Sequence, residues 1–328
     1  MVRLRLEQVG FSGKTTIWNA CLKEVNTAKA LVVKKPDRFL AGIPSEKLEL
    51  AKDKLSQIVD NVGLLEEAVR SQDIAGTLRY QDDLSRLVYE TRLMSMPPDT
   101  LPYSIPDEYK GMPVLKGMAK AECILTKARG EYDLGNGKRS NQVTLIMELD
   151  GYRAPLTTGN FVDLVQRKFF NELPIQSADD LIVQTGKPPA GGADNAIDGF
   201  VDPKTREKRT VPLELFYKSD VSPTYEYTSD EDLRATESMA DPFQAYGAIG
   251  MAHDPENPNT ASSQFWMLKW DQALVPPSRN TLDGSQACLG YITSNEQILG
   301  QVEKGDQVTS IRILEGLDNF HAEYEANL

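Results

Sequence analysis

The polar groups with the clearest chemical potential in this 328-residue chain lie in one stretch, Leu173 to Gly186. Residues 181–183 are Leu-Ile-Val, which supply one strand with apolar side chains, and Gln184 follows at the end of that strand. A glutamine amide both donates and accepts hydrogen bonds, so it suits a site that holds a peptide group. The stretch therefore predicts a peptide-gripping site, and Gln176, at its loop end, is a second candidate for chemistry.

Few other side chains are suited to catalysis or to metal binding. The chain has two histidines, His253 and His321, and three scattered cysteines, Cys21, Cys123 and Cys288. So few histidines argue against a histidine relay, and the spacing of the cysteines argues against a zinc site or a disulfide framework. We therefore expect neither a metal nor a cofactor.

Charge and composition exclude several classes of function. The 36 Lys and Arg against 48 Asp and Glu give a formal charge of −12, so no nucleic-acid partner is expected. No apolar run reaches the roughly 18 residues of a membrane-spanning helix, so no membrane span is predicted. Residues 10–16 are not a phosphate-binding loop, because Gln8 stands where that motif needs glycine. Residues 1–42 carry eight basic and three acidic side chains, typical of a targeting segment or of an ordinary basic helix.

Residues 15–96 are predicted to form a helical bundle. The first helix is expected from Thr16 to Val33, the second after Ser45 as N-cap, and the third from Gln72 to Met94. The short break near Arg70 should make the second and third helices antiparallel or sharply bent. The predicted core faces consist of Trp18, Leu22, Val25, Val32, Leu48, Ala51, Leu55, Ile58, Val62, Leu65, Ile74, Leu78, Leu84, Leu87, Val88 and Thr91.

A proline-rich segment, 97–113, separates the bundle from a region of different periodicity. It is predicted to be an extended linker, or a strap that lies along the following domain. After Lys116 apolar residues alternate with period two, which predicts strands at 118–127 and 143–149. In all, roughly eight strands and two helices, 157–170 and 296–302, are expected. Residues 114–320 are therefore predicted to be a closed barrel capped by helices, with a tail at 321–328. The predicted fold class is α+β.

Motifs in the second region resemble, in order, the signature of the cyclophilins. They are Ala154-Pro-Leu-Thr-Thr-Gly-Asn-Phe161, Leu181-Ile-Val-Gln-Thr-Gly186, Gly250-Met-Ala252, Ser263-Gln-Phe-Trp266, and Leu282-Asp-Gly284 with Leu289-Gly290. The resemblance covers residues 114–318 and implies a closed eight-stranded antiparallel barrel with two capping helices. Residues 101–109, 112–117 and 209–214 are similar to thylakoid-lumen cyclophilins with an N-terminal helical bundle, which implies a location in the chloroplast thylakoid lumen.

Cyclophilins isomerise X–Pro bonds, and the resemblance assigns residues of this chain to their prolyl-peptide site. The uncatalysed barrier is about 18–20 kcal/mol, and lowering it needs no covalent step. Gln184 falls on the glutamine that orients the substrate, and Ala252 on the alanine whose backbone clamps it. Trp266 replaces a phenylalanine that floors the proline pocket. The other substrate-binding positions are Leu181, Ile182, Gln264, Leu282 and Gln286.

The same resemblance places Gln176 at the position of the catalytic arginine. A guanidinium presents a charged fork of donors, whereas an amide presents two neutral ones. We therefore expect a degenerate site that binds prolyl peptides with weak or no isomerase activity. Thr281 and Gln286 replace a bulky residue and a histidine of the family, so we also expect insensitivity to cyclosporin.

Other interpretations stay open. Gln184 and Gln264 could be buried amides that satisfy the barrel backbone, and Trp266 could be simple core. His253 is expected to be an ordinary loop histidine, and Lys187 a solvated side chain.

The function also has alternatives. The chain could be a non-catalytic chaperone or assembly scaffold for photosynthetic membrane complexes, with the bundle and the acidic loop 219–241 as contact surfaces. In a third interpretation the bundle or the linker covers the pocket. The expected partners are proline-containing polypeptide clients.

Overall fold

The structure is a computed structural model that describes residues 15–96, 99–135, 137–187, 199–243, 245–269 and 281–322. The chain divides into two compact units, Met1–Pro97 and Pro98–Leu328. Residues 1–14 of the predicted basic segment 1–42, and residues 323–328 of the predicted tail 321–328, lie outside the described residues.

The first unit is helical. Its helices are α1 (Thr15–Lys34), α2 (Pro36–Leu40), α3 (Leu48–Arg70) and α4 (Ile74–Met94). Apolar residues on one face of each long helix meet in a common core, as their spacing predicts. The core residues are Trp18, Cys21, Val25, Val32, Leu55, Ile58, Val62, Leu65, Val69 and Leu87. None of the described helices has both the length and the apolar character needed to cross a membrane.

Two details of the bundle differ from the sequence prediction. Ser45 is not the N-cap of α3, because a 3-10 turn over Ser45–Lys47 precedes it and the cap residue Lys47 makes no side-chain hydrogen bond. Helix α4 starts at Ile74 instead of Gln72, because Gln72 has a positive φ of 60° that cannot continue a helix. Ile74 and Val88 are 43% and 39% exposed, so the buried stripe of α4 is narrower than predicted.

The second unit is built on nine strands, which are β2 (Met118–Thr126), β5 (Gln142–Asp150), β6 (Leu173–Pro174), β7 (Ser177–Ala178), β8 (Ile182–Thr185), β11 (Ala248–Met251), β12 (Phe265–Leu268), β13 (Cys288–Ser294) and β14 (Gln307–Glu315). They form one antiparallel sheet in the order β6-β14-β2-β5-β13-β11-β12-β8-β7. Short pairs outside this sheet are formed by β1 (Val114–Leu115) with β15 (Phe320–His321), β3 (Tyr132–Asp133) with β4 (Arg139–Ser140), and β9 (Glu214–Leu215) with β10 (Thr224–Tyr225).

The prediction of a closed eight-stranded barrel is wrong, because the sheet is open and has nine strands within the described residues. The sheet is nevertheless curled. Its two edge strands, β6 and β7, are consecutive in the chain and are separated only by Ile175 and Gln176. One short segment therefore lies at both edges.

A single α-helix, α5 (Pro155–Gln166), supplies the helical side of the core. Phe161 on this helix packs against Phe170 and Phe265, with ring centroids 5.1 Å apart in each pair. The second predicted helix is a 3-10 helix over Glu296–Gln301. Within the described part of the second unit, the expectation of two capping α-helices is therefore met only in part.

The segment 209–214 holds α5 at two places. The Arg209 guanidinium binds the buried Asp163 carboxylate at 2.6 Å and donates to the Asn160 side chain at 2.8 Å. Glu214 is fully buried and accepts the backbone N–H groups of Leu156 and Thr157 at the helix N-terminus, at 3.1 and 2.6 Å. An acceptor oxygen is favourable there because those N–H groups have no partner within the helix. This stretch therefore fixes the helix on which the sheet packs.

The proline-rich segment lies on the second unit as a strap. The Tyr103 hydroxyl donates to the Tyr152 carbonyl at 2.6 Å, and the Tyr109 hydroxyl to the Glu226 carboxylate at 2.8 Å. At the start of the strap Asp99 contacts His321, which belongs to β15. Of the two interpretations of this segment, the structure supports the strap.

Glu214 makes the stability of the second unit depend on pH. Burial raises the pKa of this carboxyl from 4.5 to about 7. Between these values the unfolded chain releases the proton while the folded chain keeps it, so stability falls as pH rises, by about 3 kcal/mol in total. We expect the thermal unfolding midpoint of the wild type minus that of Glu214→Gln to decrease as the pH is raised from 5 to 8. A midpoint difference that rises over this range would contradict the assignment, and carboxyl NMR of Glu214 measures the pKa directly.

Candidate functional site

The two predicted amides meet on neighbouring strands. Gln184 on β8 lies opposite Trp266 on β12, and Gln264 comes just before that strand. The Gln184 Nε2 donates to the Gln264 Oε1 at 3.0 Å, and both side chains are half-buried. Within the described residues the two side chains bind one another, and neither binds the sheet backbone. The pair leaves the side-chain Oε1 of Gln184 and the side-chain Nε2 of Gln264 for other groups.

An apolar cluster lies beside the amide pair. Its buried members are Phe243, Ala248, Trp266, Leu268 and Cys288, with Ile182, Ala252, Leu282 and Tyr291 packed against them. The cluster brings together four of the predicted binding residues, which come from three strand ends and one loop. The backbone of Ala252 is also held at the site, because its N–H donates to the Gln264 carbonyl at 2.9 Å.

Trp266 is the largest side chain of this cluster and is only 4% exposed. Its ring lies 4.8 Å from the ring of Phe243, centroid to centroid. Directly across the ladder is Gly250, and a Cβ built on it would come within 2.2 Å of the Trp266 ring atom Cζ2. The missing side chain at residue 250 therefore makes room for the indole, which belongs to the core beside the amide pair.

Gln176 lies beside Gln184 through the backbone. Its N–H donates to the Gln184 carbonyl at 2.9 Å, while Ser177 is the residue paired with Gln184 in the ladder. Two residues thus face one, as in a β-bulge, a feature common next to active sites. Both polar atoms of the Gln176 amide are buried, and neither has a hydrogen-bond partner among the described residues.

The remaining predicted residues lie around this centre. Leu181 is 52% exposed and is not part of the apolar cluster. Gln286 contacts the imidazole of His253, with 2.7 Å between their Nε2 atoms. Thr281 and Lys187 are exposed.

Two residues at the site were not assigned by the sequence. Phe243 packs on Trp266, but it follows a long irregular stretch that carries no periodic signal. His253 was expected to be an ordinary loop histidine, yet its ring bonds both to the next residue and to the segment of Gln286. Its only sequence signal is its position directly after Ala252.

The site is equipped for non-covalent binding. Among the described residues no group of three or more His, Cys, Asp or Glu is placed to hold a metal ion. Burial raises the pKa of the Cys288 thiol well above its usual value, so this sulfur stays protonated and is a poor nucleophile. The arrangement can therefore hold a small apolar ring against the cluster and a peptide group against the amides.

Comparison with known proteins gives a consistent result. Residues 138–316 match the family described as cyclophilin type peptidyl-prolyl cis-trans isomerase/CLD. A putative thylakoid lumen peptidyl-prolyl cis-trans isomerase from Synechocystis sp., sll0408, is 35% identical over 96% of this chain and 78% of its own length. The chloroplastic peptidyl-prolyl cis-trans isomerase CYP38 of Arabidopsis thaliana is 38% identical over 68% of this chain, which spans about half of that protein (48%).

Solved structures were also found. A Cryptosporidium parvum cyclophilin type peptidyl-prolyl cis-trans isomerase matches with a TM-score of 0.38 and 16% identity, over 60% of this chain and 98% of its own. The same protein in the presence of the dipeptide Ala-Pro matches with a TM-score of 0.36 and 18% identity, over 52% and 93%.

The packing of Trp266 predicts the effect of one added methyl group. Gly250→Ala should displace the indole and lower the free energy of unfolding by about 1–3 kcal/mol, the usual range for overpacking. Near-UV circular dichroism and thermal unfolding measure both effects. Gly300→Ala is the matched control, because the nearest atom to its new Cβ would be 3.4 Å away. A Gly250→Ala protein as stable as this control would contradict the packing.

Proposed function

Because the chain belongs to the cyclophilin-type peptidyl-prolyl cis-trans isomerase family, we propose that it binds proline-containing segments of polypeptides and isomerises them weakly or not at all. The observation that carries the proposal is the neutral Gln176 beside an intact pair of amides, Gln184 and Gln264. The names of its relatives support a location in the thylakoid lumen.

The binding half of the proposal rests on the apolar cluster and on the amides. A proline ring is compact and apolar, and its amide has a carbonyl but no N–H. Ile182, Leu282 and Trp266 offer an apolar contact for such a ring, and the Gln264 amide nitrogen offers a donor to the carbonyl. No charged group is needed for this recognition.

The catalytic half of the proposal rests on residue 176. During rotation about the X–Pro bond resonance is lost, and the prolyl nitrogen becomes a hydrogen-bond acceptor. An interaction accelerates the reaction only if it is stronger in that state than in the ground state. Bonds from a charged donor are about twice as strong as neutral ones, so an amide at this position stabilises the rotating state less than a guanidinium would.

A non-catalytic chaperone or assembly scaffold is the second candidate, and one feature favours it. The acidic loop 219–241 is tied down by Arg234, which binds Asp220 and Glu237 at 2.7 Å each and lies 3.6 Å over the Tyr217 ring. This loop exposes three large side chains with apolar surface, Val221 (81%), Tyr227 (56%) and Leu233 (92%). The loop is therefore a candidate surface for a client or for a photosynthetic membrane complex.

The first test restores the charge at residue 176. Gln176→Arg should raise kcat/KM in a protease-coupled isomerase assay on the order of 10²-fold, which corresponds to about 2–3 kcal/mol of transition-state stabilisation. Gln176→Lys supplies the charge without the fork, so its gain should be smaller, and Gln176→Met should give none. Ordinary cyclophilin turnover by the wild type would overturn the proposal, as would an inactive Gln176→Arg protein that still binds peptide.

Cyclosporin provides a second test. Thr281 is exposed, and the Gln286 amide is already bonded to His253, so neither offers the drug a bulky apolar wall. We expect calorimetry to detect no tight binding. Submicromolar affinity for the drug would show that the substitutions leave the family pocket complete.

A further inference from the structure

The imidazole of His253 joins the two loop segments that border the apolar cluster. One segment continues from β11 through Ala252, and the other is the turn 281–286, which carries Leu282 and Gln286. We propose that His253 is a positioning residue which decides whether the Gln286 amide presents its oxygen or its NH₂ to the site. Protonation of the imidazole ring reverses that orientation. The effect on ligand affinity rests on the proposed peptide binding, whereas the pairing itself does not.

The contacts of the ring fix the geometry. The His253 Nδ1 lies 2.8 Å from the Asp254 carbonyl oxygen, and its Nε2 lies 2.9 Å from the Ser285 carbonyl oxygen. The same Nε2 lies 2.7 Å from the Gln286 Nε2. One ring nitrogen therefore faces both an acceptor, which is a carbonyl, and a donor, which is an amide NH₂.

The backbone around this contact cannot move freely. The N–H groups of Ser285 and Gln286 both donate to the Leu282 carbonyl at 3.1 Å, and the Ser285 hydroxyl donates to the Thr281 carbonyl at 2.8 Å. The Ser285 carbonyl is thus held by a tight turn. The side-chain amide of Gln286 is the part of the contact that can rotate.

A ring nitrogen satisfies either a donor or an acceptor, depending on its proton. In the neutral ring, Nδ1–H donates to Asp254, and the bare Nε2 accepts from the Gln286 NH₂ while it faces the Ser285 carbonyl oxygen at 2.9 Å with no proton between them. In the imidazolium both nitrogens donate, so Nε2–H binds the Ser285 carbonyl and would clash with the NH₂. The Gln286 amide must then turn its Oε1 toward the ring.

Charged groups near this contact lie on the ring's own segment, on the opposite turn, and in the cavity that Gln286 lines together with Arg153, Glu214 and Asp241. Asp254 and Glu256 follow His253 in the chain, and Asp283 lies in the turn 281–286. The Asp254 carboxylate accepts the Glu256 N–H at 2.9 Å, and the Asp283 carboxylate accepts the Phe243 N–H at 2.7 Å. Within the described residues no charged side chain binds the ring, so its partners are the two carbonyls and the amide.

The two states present different chemistry to a ligand. With the neutral ring bound to the NH₂, the Gln286 Oε1, an acceptor, is the atom left for a ligand, and with the imidazolium the NH₂, a donor, is left. A prolyl residue offers carbonyl oxygens but no N–H of its own. The protonated state should therefore bind a prolyl ligand more tightly, by about fivefold, the value of one neutral hydrogen bond.

Histidine NMR tests the pairing without any ligand. The chain has two histidines, so His321→Asn leaves His253 as the single imidazole to observe with ¹⁵N labelling. We expect the Nδ1–H tautomer in the neutral ring. We also expect the side-chain NH₂ resonances of Gln286, identified by their loss in Gln286→Met, to shift with the same midpoint as the ring. A neutral Nε2–H tautomer, or Gln286 resonances that do not follow the ring, would overturn the inference.

Calorimetry then tests the effect on binding. The probe is acetyl-Ala-Ala-Pro dimethylamide, which has no N–H at or after proline. Affinity at pH 5 should exceed that at pH 8 about fivefold in the wild type and in His321→Asn. The ratio should be near one in His253→Gln. Equal ratios in wild type and His253→Gln would overturn the coupling to ligand, and no binding at either pH would instead reject the proposed function.

Discussion

The sheet of the second unit depends on the hydrogen bonding of one six-residue segment, Leu173 to Ala178. Edge strands expose unpaired N–H and C=O groups, which destabilise a sheet or invite pairing with other chains. Here β6 pairs with β14 at one edge and β7 pairs with β8 at the other. Between them, Ile175 exchanges backbone bonds with Asp306 and Gly305, and Gln176 donates to Gln184. The segment thus forms both edge strands, each paired with two residues of its neighbour, and the bulge at residue 176 lies between them.

At residue 176 the backbone and the side chain make different contacts. The backbone of Gln176 holds the edge, while its side-chain amide has no partner among the described residues. Within the described residues, no hydrogen bond therefore ties this side chain to the fold. Trp266 shows the opposite case, because its indole occupies the space that Gly250 leaves and is part of the core. Residue 176 is thus tied to the sheet through its backbone, whereas Trp266 cannot change its size without a change at Gly250.

Elements that depend on local periodicity and motifs could be predicted from the sequence. Features that depend on contacts between residues far apart in the chain could not. The strands β2 and β5 and the helix α5 follow from alternation and from the 3.6-residue spacing, and the segment with Gln184 was recognised as a strand. The open nine-stranded order was missed because β6 and β7 are only two residues long, too short for a pattern. The contacts of Gly250 with Trp266 and of His253 with Gln286 depend on register and on loop placement, which alternation does not determine. Ser45 failed as a cap because the chain forms a 3-10 turn there first.

The strap and the last strand have a consequence for how the second unit can be connected. Asp99 touches His321, and Val114 on β1 pairs with the same residue, so the chain enters and leaves this unit at one place. Adjacent ends are the condition under which circular permutation and insertion into a host loop are tolerated. The unit can therefore be inserted into another protein at one site, with both connections made at adjacent positions. Joining its ends by a short peptide and opening the chain in another exposed loop would leave the order of strands in the sheet unchanged.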